Sequence, residues 1–490
     1  MDVTICVVWL VLAIISIAAV VSKSSKRSHA SDSVVTRPPP PVVTGIDLLK
    51  FLHALCRKDP EAAMMYLYNK LGSIFTLSFL WKRVTILIGH EASIPFFHGL
   101  ESDVSQGNFN EFTVPMFGKE NGYAVEYATR IEQSRFFYDS LKASQLRSHV
   151  DLIRQEVEEY FAKWGDEGEV DLKQEFTKLL MLIAGRCLLG SEVRDTIFGE
   201  FYTLFADIEE GVNLFSYMFP YMPVPVNNRR DRAQMKLTSI VSEIVRSRKR
   251  CNRVEDDMLQ RLIDSRYKDG RPTTEGEVSG MIIGLIFAGK HTSTITASWT
   301  GACLLTHPKF LGAAVEEQKQ MMSKYKDNID YNILSEMEIL HSCIKEAGRM
   351  YPAAPVLLRK TLKEISVQTR EGGEYGIPKG TTLAHLVMLT GKVPHTYKDP
   401  EVYDPDRFRV GREEDKIGGK LSYTIFGAGR HACAGESFAF MQIKIIWSHL
   451  LRNFDLKLTS PFPKQDWSKF IIEPKGKVMV SYKRCRMPAN

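Results

Sequence analysis

Phe426-Gly-Ala-Gly429-Arg430-His431-Ala-Cys433-Ala-Gly435 sets one cysteine among glycines, just ahead of an apolar run from Phe438 to Leu451. An aromatic residue stands seven positions upstream of the sulfur and a basic residue two upstream. A thiolate in such a loop suits the iron of haem, because sulfur pushes more electron density onto the metal than His or Met does and favours O–O cleavage. The glycines let the backbone turn tightly under a flat macrocycle. Phe426 is positioned to shield the sulfur from water and so tune the iron, and His431 to bond a haem propionate. A structural cysteine in a glycine-rich turn is the competing reading, and the rest of the chain decides between the two.

Upstream, Glu346-Ala-Gly-Arg349 lies in an apolar helical stretch that ends near Pro352. A spacing of three puts the two charges on one helix face. Pro405-Asp-Arg407-Phe408 can bring a second guanidinium to Glu346. Buried charges have to be paired, and Arg supplies planar, bidentate geometry. The order of these motifs, Glu-x-x-Arg, then Pro-x-Arg-Phe, then the cysteine loop, resembles the cytochrome P450 superfamily over roughly residues 45 to 485. The resemblance implies a mostly α fold with small β-sheets, one large catalytic domain over 45–490, and haem b held by Cys433 as the axial ligand of its iron. It also implies electrons from NADPH through a cytochrome P450 reductase.

Composition agrees with that class. A hydrophobic content of 44% in 490 residues supports a large core. The net charge of +6 is too small for a dedicated nucleic-acid binder and suits an acidic redox partner or an anionic membrane face. Eight cysteines without paired spacing indicate reduced thiols rather than a disulfide framework. Val3 to Ser22 carry no charge and are long enough, as a helix, to span a bilayer. Asp2 precedes this run, while Lys23, Lys26 and Arg27 follow it, so residues 1–22 read as an uncleaved anchor with the catalytic domain cytoplasmic. The expected location is the endoplasmic reticulum membrane. Residues 23–44 form a basic, Pro-rich linker whose stiff run Arg37–Pro41 would fix the tilt of the domain.

Hydrophobic periodicity predicts helices over Ile46–Lys70, Arg130–Trp164, Leu172–Leu189, Asp231–Arg250 and Asp256–Ser265, and strand over Ile74–Leu87. Asn108–Tyr127 reads as loop. A long helix starts at a capping-box pair, Thr274 and Glu277, and stops at His307-Pro308. Its centre interrupts an apolar pattern with Ala288-Gly-Lys290-His291-Thr292-Ser293. Small residues there admit a ligand, and hydroxyls can bond back to helix carbonyls and loosen the turn. In a P450 this segment crosses the haem face. Thr292 would position activated oxygen and water, with His291 and Ser293 joining a proton relay.

His291 before Thr292, the stretch Phe112-Thr-Val-Pro-Met116-Phe117-Gly118, Leu357-Leu-Arg359, and His431 where most P450s carry Arg are similar to the sterol 14α-demethylase family. By that resemblance Tyr123, Arg359 and His431 bond the propionates. Phe109, Phe112, Met116 and Phe117 would line the substrate pocket, as would Phe287, Ala288, Val356 and Ile471. Several positions depart from the family: Ala124 stands for Asp, Asn110 for Tyr, Lys290 for Gln, and Gly348 for a larger apolar residue. These departures resemble a diverged grass branch, the β-amyrin oxidases. They give the expectation of a membrane-fed triterpene substrate, β-amyrin, taking a 12,13-epoxide and a 16β-hydroxyl in saponin synthesis. The alternative is 14α-demethylation of a sterol, obtusifoliol. A haem-thiolate isomerase and a non-catalytic sterol binder are further readings that retention of Thr292 and Cys433 disfavours.

Overall fold

Asp59-Pro60 breaks what the apolar pattern reads as one helix over Ile46–Lys70. Two helices form, α1 (Gly45–Cys56) and α2 (Pro60–Leu71). Asp59 accepts a bond from Ala62 N at 3.2 Å, and Pro60 sits in the first turn, where its missing N–H would have no helical partner anyway. The computed structural model describes residues 37–487 except 58, 80–81, 108, 191–193, 195–197, 470 and 486. The expected anchor, 1–22, and most of the linker lie outside the described residues. No helix among those described is long and apolar enough to cross a membrane.

The strand-like stretch after α2 folds back on itself as β1 (Ile74–Phe79) and β2 (Lys82–Leu87), antiparallel with Ile74 opposite Leu87. Then come α3 (His90–His98) and the two-residue β3 (Val104–Ser105). The segment read as loop after Asn108 contains a tight turn, Glu111–Thr113, a one-turn helix, Val114–Phe117, and a second tight turn, Gly122–Ala124. Next are α4 (Tyr127–Ser140), α5 (Ala143–Phe161), β4 (Glu167–Asp171) and α6 (Leu172–Ala184). The helix expected to reach Leu189 widens into π geometry over Gly185–Leu189. Four longer helices follow: α7 (Phe198–Glu210), α8 (Pro225–Cys251), α9 (Glu275–Thr306) and α10 (Pro308–Tyr325). Helix α11 (Glu338–Met350) leads to β5 (Val356–Thr361), β6 (Ile365–Gln368), β7 (Glu374–Ile377) and β8 (Thr382–Leu386). The chain closes with α12 (Glu436–Asn453), β9 (Phe454–Leu458) and β10 (Met479–Arg484).

Two compact units result. Among the described residues, one comprises 37–107, Val356–Lys398 and Asp415–His431; the other comprises 109–355, Asp399–Glu414 and 432–487. The first holds a five-stranded sheet in the order β1-β2-β8-β5-β3 and the hairpin β6-β7. Its core gathers Ile74, Leu87, Phe96, Phe97, Val367 and Leu383. The proline run is laid on these strands: Thr76 N donates to Pro41 O at 2.7 Å and Gly376 N to Pro38 O at 3.0 Å.

The second unit is helical, with the small sheet β4-β10-β9 at its margin. Helix α9 is its axis. Thr274 Oγ1 accepts from Glu277 N at 3.0 Å and a Glu277 carboxylate oxygen accepts from Thr274 N at 2.8 Å, so the capping box forms as expected. The helix is apolar on nearly every side, as a helix surrounded by others must be. Gly301 is required on one of those sides, because a Cβ there would come 2.5 Å from the Trp447 ring. Trp447 is fully buried and donates its indole N–H to Ala297 O at 3.1 Å. Phe176, also fully buried, meets Trp447 edge-on; a phenylalanine so placed contributes about 1.5–3 kcal/mol.

Candidate active site

Cys433 follows a tight turn, Gly429–His431, and precedes the first turn of α12. Its thiol is exposed. Protein atoms crowding its flanks nevertheless raise the thiol above its usual pKa, with the Glu436 charge adding to the effect. The backbone N–H groups of Gly435 and Glu436 oppose this by bonding the sulfur. Amide donors at a helix start stabilise a thiolate, and a metal ligated there displaces the remaining proton. A soft sulfur donor, two amides aimed at it, and an open face fit the axial ligand of haem iron. The glycines earlier in the loop are structural necessities. Gly429 adopts φ +65° and packs on the carbonyl end of α3, where a Cβ would come 3.0 Å from Phe97 C and collide with Phe97 O. Tyr138 donates to Ala432 O at 2.6 Å and fixes the chain beside the cysteine.

The ion-pair motif is a buried network. Glu346 accepts from Arg349 Nε at 2.7 Å and Nη2 at 2.8 Å, and from Arg407 Nε at 2.9 Å. All three side chains are fully buried. The Asp404 backbone N–H adds a fourth donor at 2.9 Å. Arg407 Nη1 reaches Glu414 at 2.5 Å, and Arg412 joins Glu414 to Asp404 at 2.6 Å each. Three carboxylates thus face three guanidiniums, which is what makes charge tolerable at this depth. Asp404, Arg412 and Glu414 were not foreseen. They lie within seven residues of Arg407, in turns that follow no helix or strand period.

On α9, Ala288 is exposed while Ile286 and Lys290 on either side of it are buried, so the centre of the helix faces open space. A Cβ on Gly289 would meet nothing within 4 Å. Thr292 Oγ1 donates to Ala288 O at 2.6 Å. Thr294, Thr296, Ser298 and Thr300 make the same bond four residues back. The helix remains α throughout, so these hydroxyls do not break it. Ser293 is buried and accepts from Gln442 Nε2 on α12 at 2.6 Å. His291 stacks on Phe287, and its Nδ1 lies 3.6 Å from Glu209 on α7. Lys290 is buried and donates to both Glu209 oxygens, at 2.8 and 2.6 Å. Burial works to raise the Glu209 pKa, but His291 and the Lys290 ammonium beside it outweigh that and hold the carboxyl below the ordinary range. Glu209, like the network acids, gives no sequence signal.

The stretch Phe112–Gly118 packs against α9. Phe117 meets Phe287 at 5.8 Å between ring centres, and Phe112 meets Tyr217 at 5.2 Å. Met116 is fully buried, whereas Phe109 and Ile471 are half-buried. Asn121 ties the loop down by donating to Phe117 O at 3.3 Å and Gly276 O at 3.1 Å. Tyr123 lies under the Arg130 guanidinium at 4.6 Å. In the first unit, Arg359 donates to Leu358 O at 2.8 Å and covers the Phe96 ring. Val356 is 38% exposed, and Phe426 is half-buried. His431 Nε2 stands 3.3 Å from a Glu101 oxygen; burial, then the Arg359 charge, lower its pKa despite Glu101.

The family description Cytochrome P450 matches residues 37–480. Sterol 14-demethylase of Arabidopsis thaliana is 48% identical over 470 residues, covering 95% of both chains. Obtusifoliol 14-alpha demethylase of Sorghum bicolor is 49% identical over 452 residues, 92% of this chain and 90% of that one. The solved structure of retinoic acid bound cyanobacterial CYP120A1 shares the fold, with TM-score 0.79 and 21% identity over 92% of this chain and 100% of that one. The chain belongs to the cytochrome P450 family, the haem-dependent monooxygenases, and is an oxidoreductase. Within that family it is a member of the sterol 14-demethylases.

This membership corrects one expectation. The oxidation of β-amyrin in saponin synthesis does not stand, because relatives at 48–49% identity across nearly the whole chain are sterol and obtusifoliol demethylases. The departures behind that expectation are few and local, whereas the identity extends over the whole fold.

Proposed function

We propose that the enzyme removes the 14α-methyl group of a plant sterol of the obtusifoliol type. The observation that carries this reading is the 49% identity to an obtusifoliol 14-alpha demethylase. Haem, bound through Cys433, supplies the activation of O₂. The chain's own residues do the rest. Phe112, Met116, Phe117 and Phe287 offer a rigid sterol an apolar wall and exclude water from it, while Ala288 and Gly289 leave the centre of α9 open. Thr292 can release its bond to Ala288 O and turn its hydroxyl toward the substrate side, where it holds a water and passes a proton. His291, oriented by Glu209, is the next group able to relay a proton from solvent. By the family resemblance, Tyr123, Arg359 and His431 would hold the propionates and Phe426 would shield the sulfur.

Electrons come from NADPH through a membrane reductase that docks beside Cys433 with Lys345 and Arg430 among its contacts. Residues 1–22 anchor the enzyme in the endoplasmic reticulum. The test uses full-length enzyme in vesicles with reductase and NADPH. A 14α-methyl sterol should displace the water ligand in the binding spectrum and be converted to a product lacking that methyl. A 14-desmethyl sterol should give no product. Failure to turn over the methylated sterol while the reduced protein still shows a thiolate-type CO band would overturn the substrate assignment and leave the haem assignment intact.

A further inference from the structure

His90 and Glu91 open α3, and His395 lies in the turn after Lys392. All three belong to the first unit and are half-buried. His90 Nε2 stands 3.2 Å from one Glu91 oxygen, and His395 Nε2 stands 3.9 Å from the other. One ligand-capable atom from each residue lies within 4.8 Å of the other two. A hydrogen-bonded surface pair would use one ring nitrogen and stop there. Here, instead, His395 Nε2, on a side chain only 9% exposed, faces Glu91 and meets no hydrogen-bond partner among the described residues. Leaving a buried ring nitrogen unpaired is costly, and this one has two further ligand-capable side chains beside it.

The surroundings shape the three groups into a cage. Tyr68 Oη lies 3.5 Å from His395 Nδ1, which turns Nε2 toward Glu91. Such an outer contact fixes the ring of a ligating histidine and its tautomer. Gly418 lies flat against the His90 ring, since a Cβ there would come 2.6 Å from Nδ1. Gly89, at φ +85°, keeps the approach open, and a Cβ there would sit 3.6 Å from Glu91 and 3.8 Å from His395 Nε2. Two imidazoles and one carboxylate are the donors a zinc-class ion takes, with a fourth position left for water. Metal bonds of about 2.0–2.2 Å set neighbouring ligand atoms about 3.3 Å apart.

We propose that His90, Glu91 and His395 form a binding site for a divalent transition metal of the zinc class, clamping the start of α3 to the turn that carries His395. The site is independent of the sterol assignment. Haem-loaded full-length enzyme, stripped with a chelator, would be titrated calorimetrically with zinc beside the variants Glu91→Gln and His395→Gln. The exposed thiols Cys56, Cys251 and Cys485 can also take zinc, so the readout is the difference between wild type and variant. One equivalent should be lost or bound at least about tenfold more weakly in each variant, and zinc should raise the melting temperature of the wild type alone. Glu91→Gln preserves shape and guards against a folding defect. Equal stoichiometry and equal thermal shifts in wild type and variants would overturn the proposal, as would no binding at about 0.1 mM zinc.

Discussion

Replacing Gly280 with alanine tests how the substrate loop is held. Gly280 lies on α9 directly beneath the loop, and a Cβ there would collide with Phe117 O and Asn121 Nδ2 and come 2.8 Å from Asn121 Cγ. One of these obstacles is backbone and another belongs to a side chain that bonds both Phe117 O and Gly276 O. Neither can step aside alone, so the loop must lift by roughly 1 Å or the helix must bend. Alanine would ordinarily stabilise a helix interior by about 1 kcal/mol relative to glycine, whereas overpacking costs about 1–3 kcal/mol. The sum is a net loss of up to about 2 kcal/mol. Lifting the loop also moves Phe117 off Phe287, and a displacement of about 1 Å in a positioning residue is worth one to two orders of magnitude in productive binding. Chemical denaturation of the holoenzyme gives the first quantity and titration of the sterol binding spectrum the second. A variant that gains stability and binds sterol like the wild type would refute the reasoning.

Glu346→Gln leaves Arg349 and Arg407 buried opposite a neutral group and should cost about 3–5 kcal/mol, measured by denaturation and by the fraction of protein that retains haem. Thr292→Ala should leave sterol binding intact and lower the ratio of product to NADPH consumed, with peroxide rising in step; unchanged coupling would remove Thr292 from proton handling. His385 is fully buried between Ser93 and Thr424, and burial pushes its pKa down to about 3 from 6.5. The unfolded chain therefore takes up a proton that the fold excludes. Stability should fall below pH 6.5 by about 1.4 kcal/mol per unit and continue falling toward pH 3. His385→Asn should flatten that slope by one proton, as read from denaturation midpoints across pH.

What the sequence discloses is whatever rests on short spacing. The capping box of α9 and the pairing of Glu346 with Arg349 need only three or four consecutive positions. The break at Asp59-Pro60 and the reversal from β1 to β2 are local too, but an unbroken apolar count hides them. Closure through irregular turns is different in kind. Glu414 neutralises Arg407, and Asp404 and Arg412 complete the network, yet all three lie in turns around Arg407 that follow no helix or strand period. The cage of His90, Glu91 and His395 likewise depends on a turn some 300 residues away from α3, so no periodicity could have suggested it.

The error over the substrate has the same origin. Lys290 read as a changed pocket residue because a cation had replaced an amide beside His291. In the fold its ammonium is buried and saturated by Glu209, 81 residues earlier in the chain, at 2.6 Å. A charge so neutralised presents no new surface to a substrate; it is a repair made between two helices. Nothing in the structure explains the asparagine at 110: its backbone carbonyl accepts from the Thr113 hydroxyl at 2.7 Å, a bond any residue there would make. A substitution can be read as a change of specificity only after its partners are known, because the same residue is a specificity determinant when it faces ligand and a structural contact when it faces protein. Identity spread over the entire chain samples those partners together, and it outweighs a handful of conspicuous positions for that physical reason.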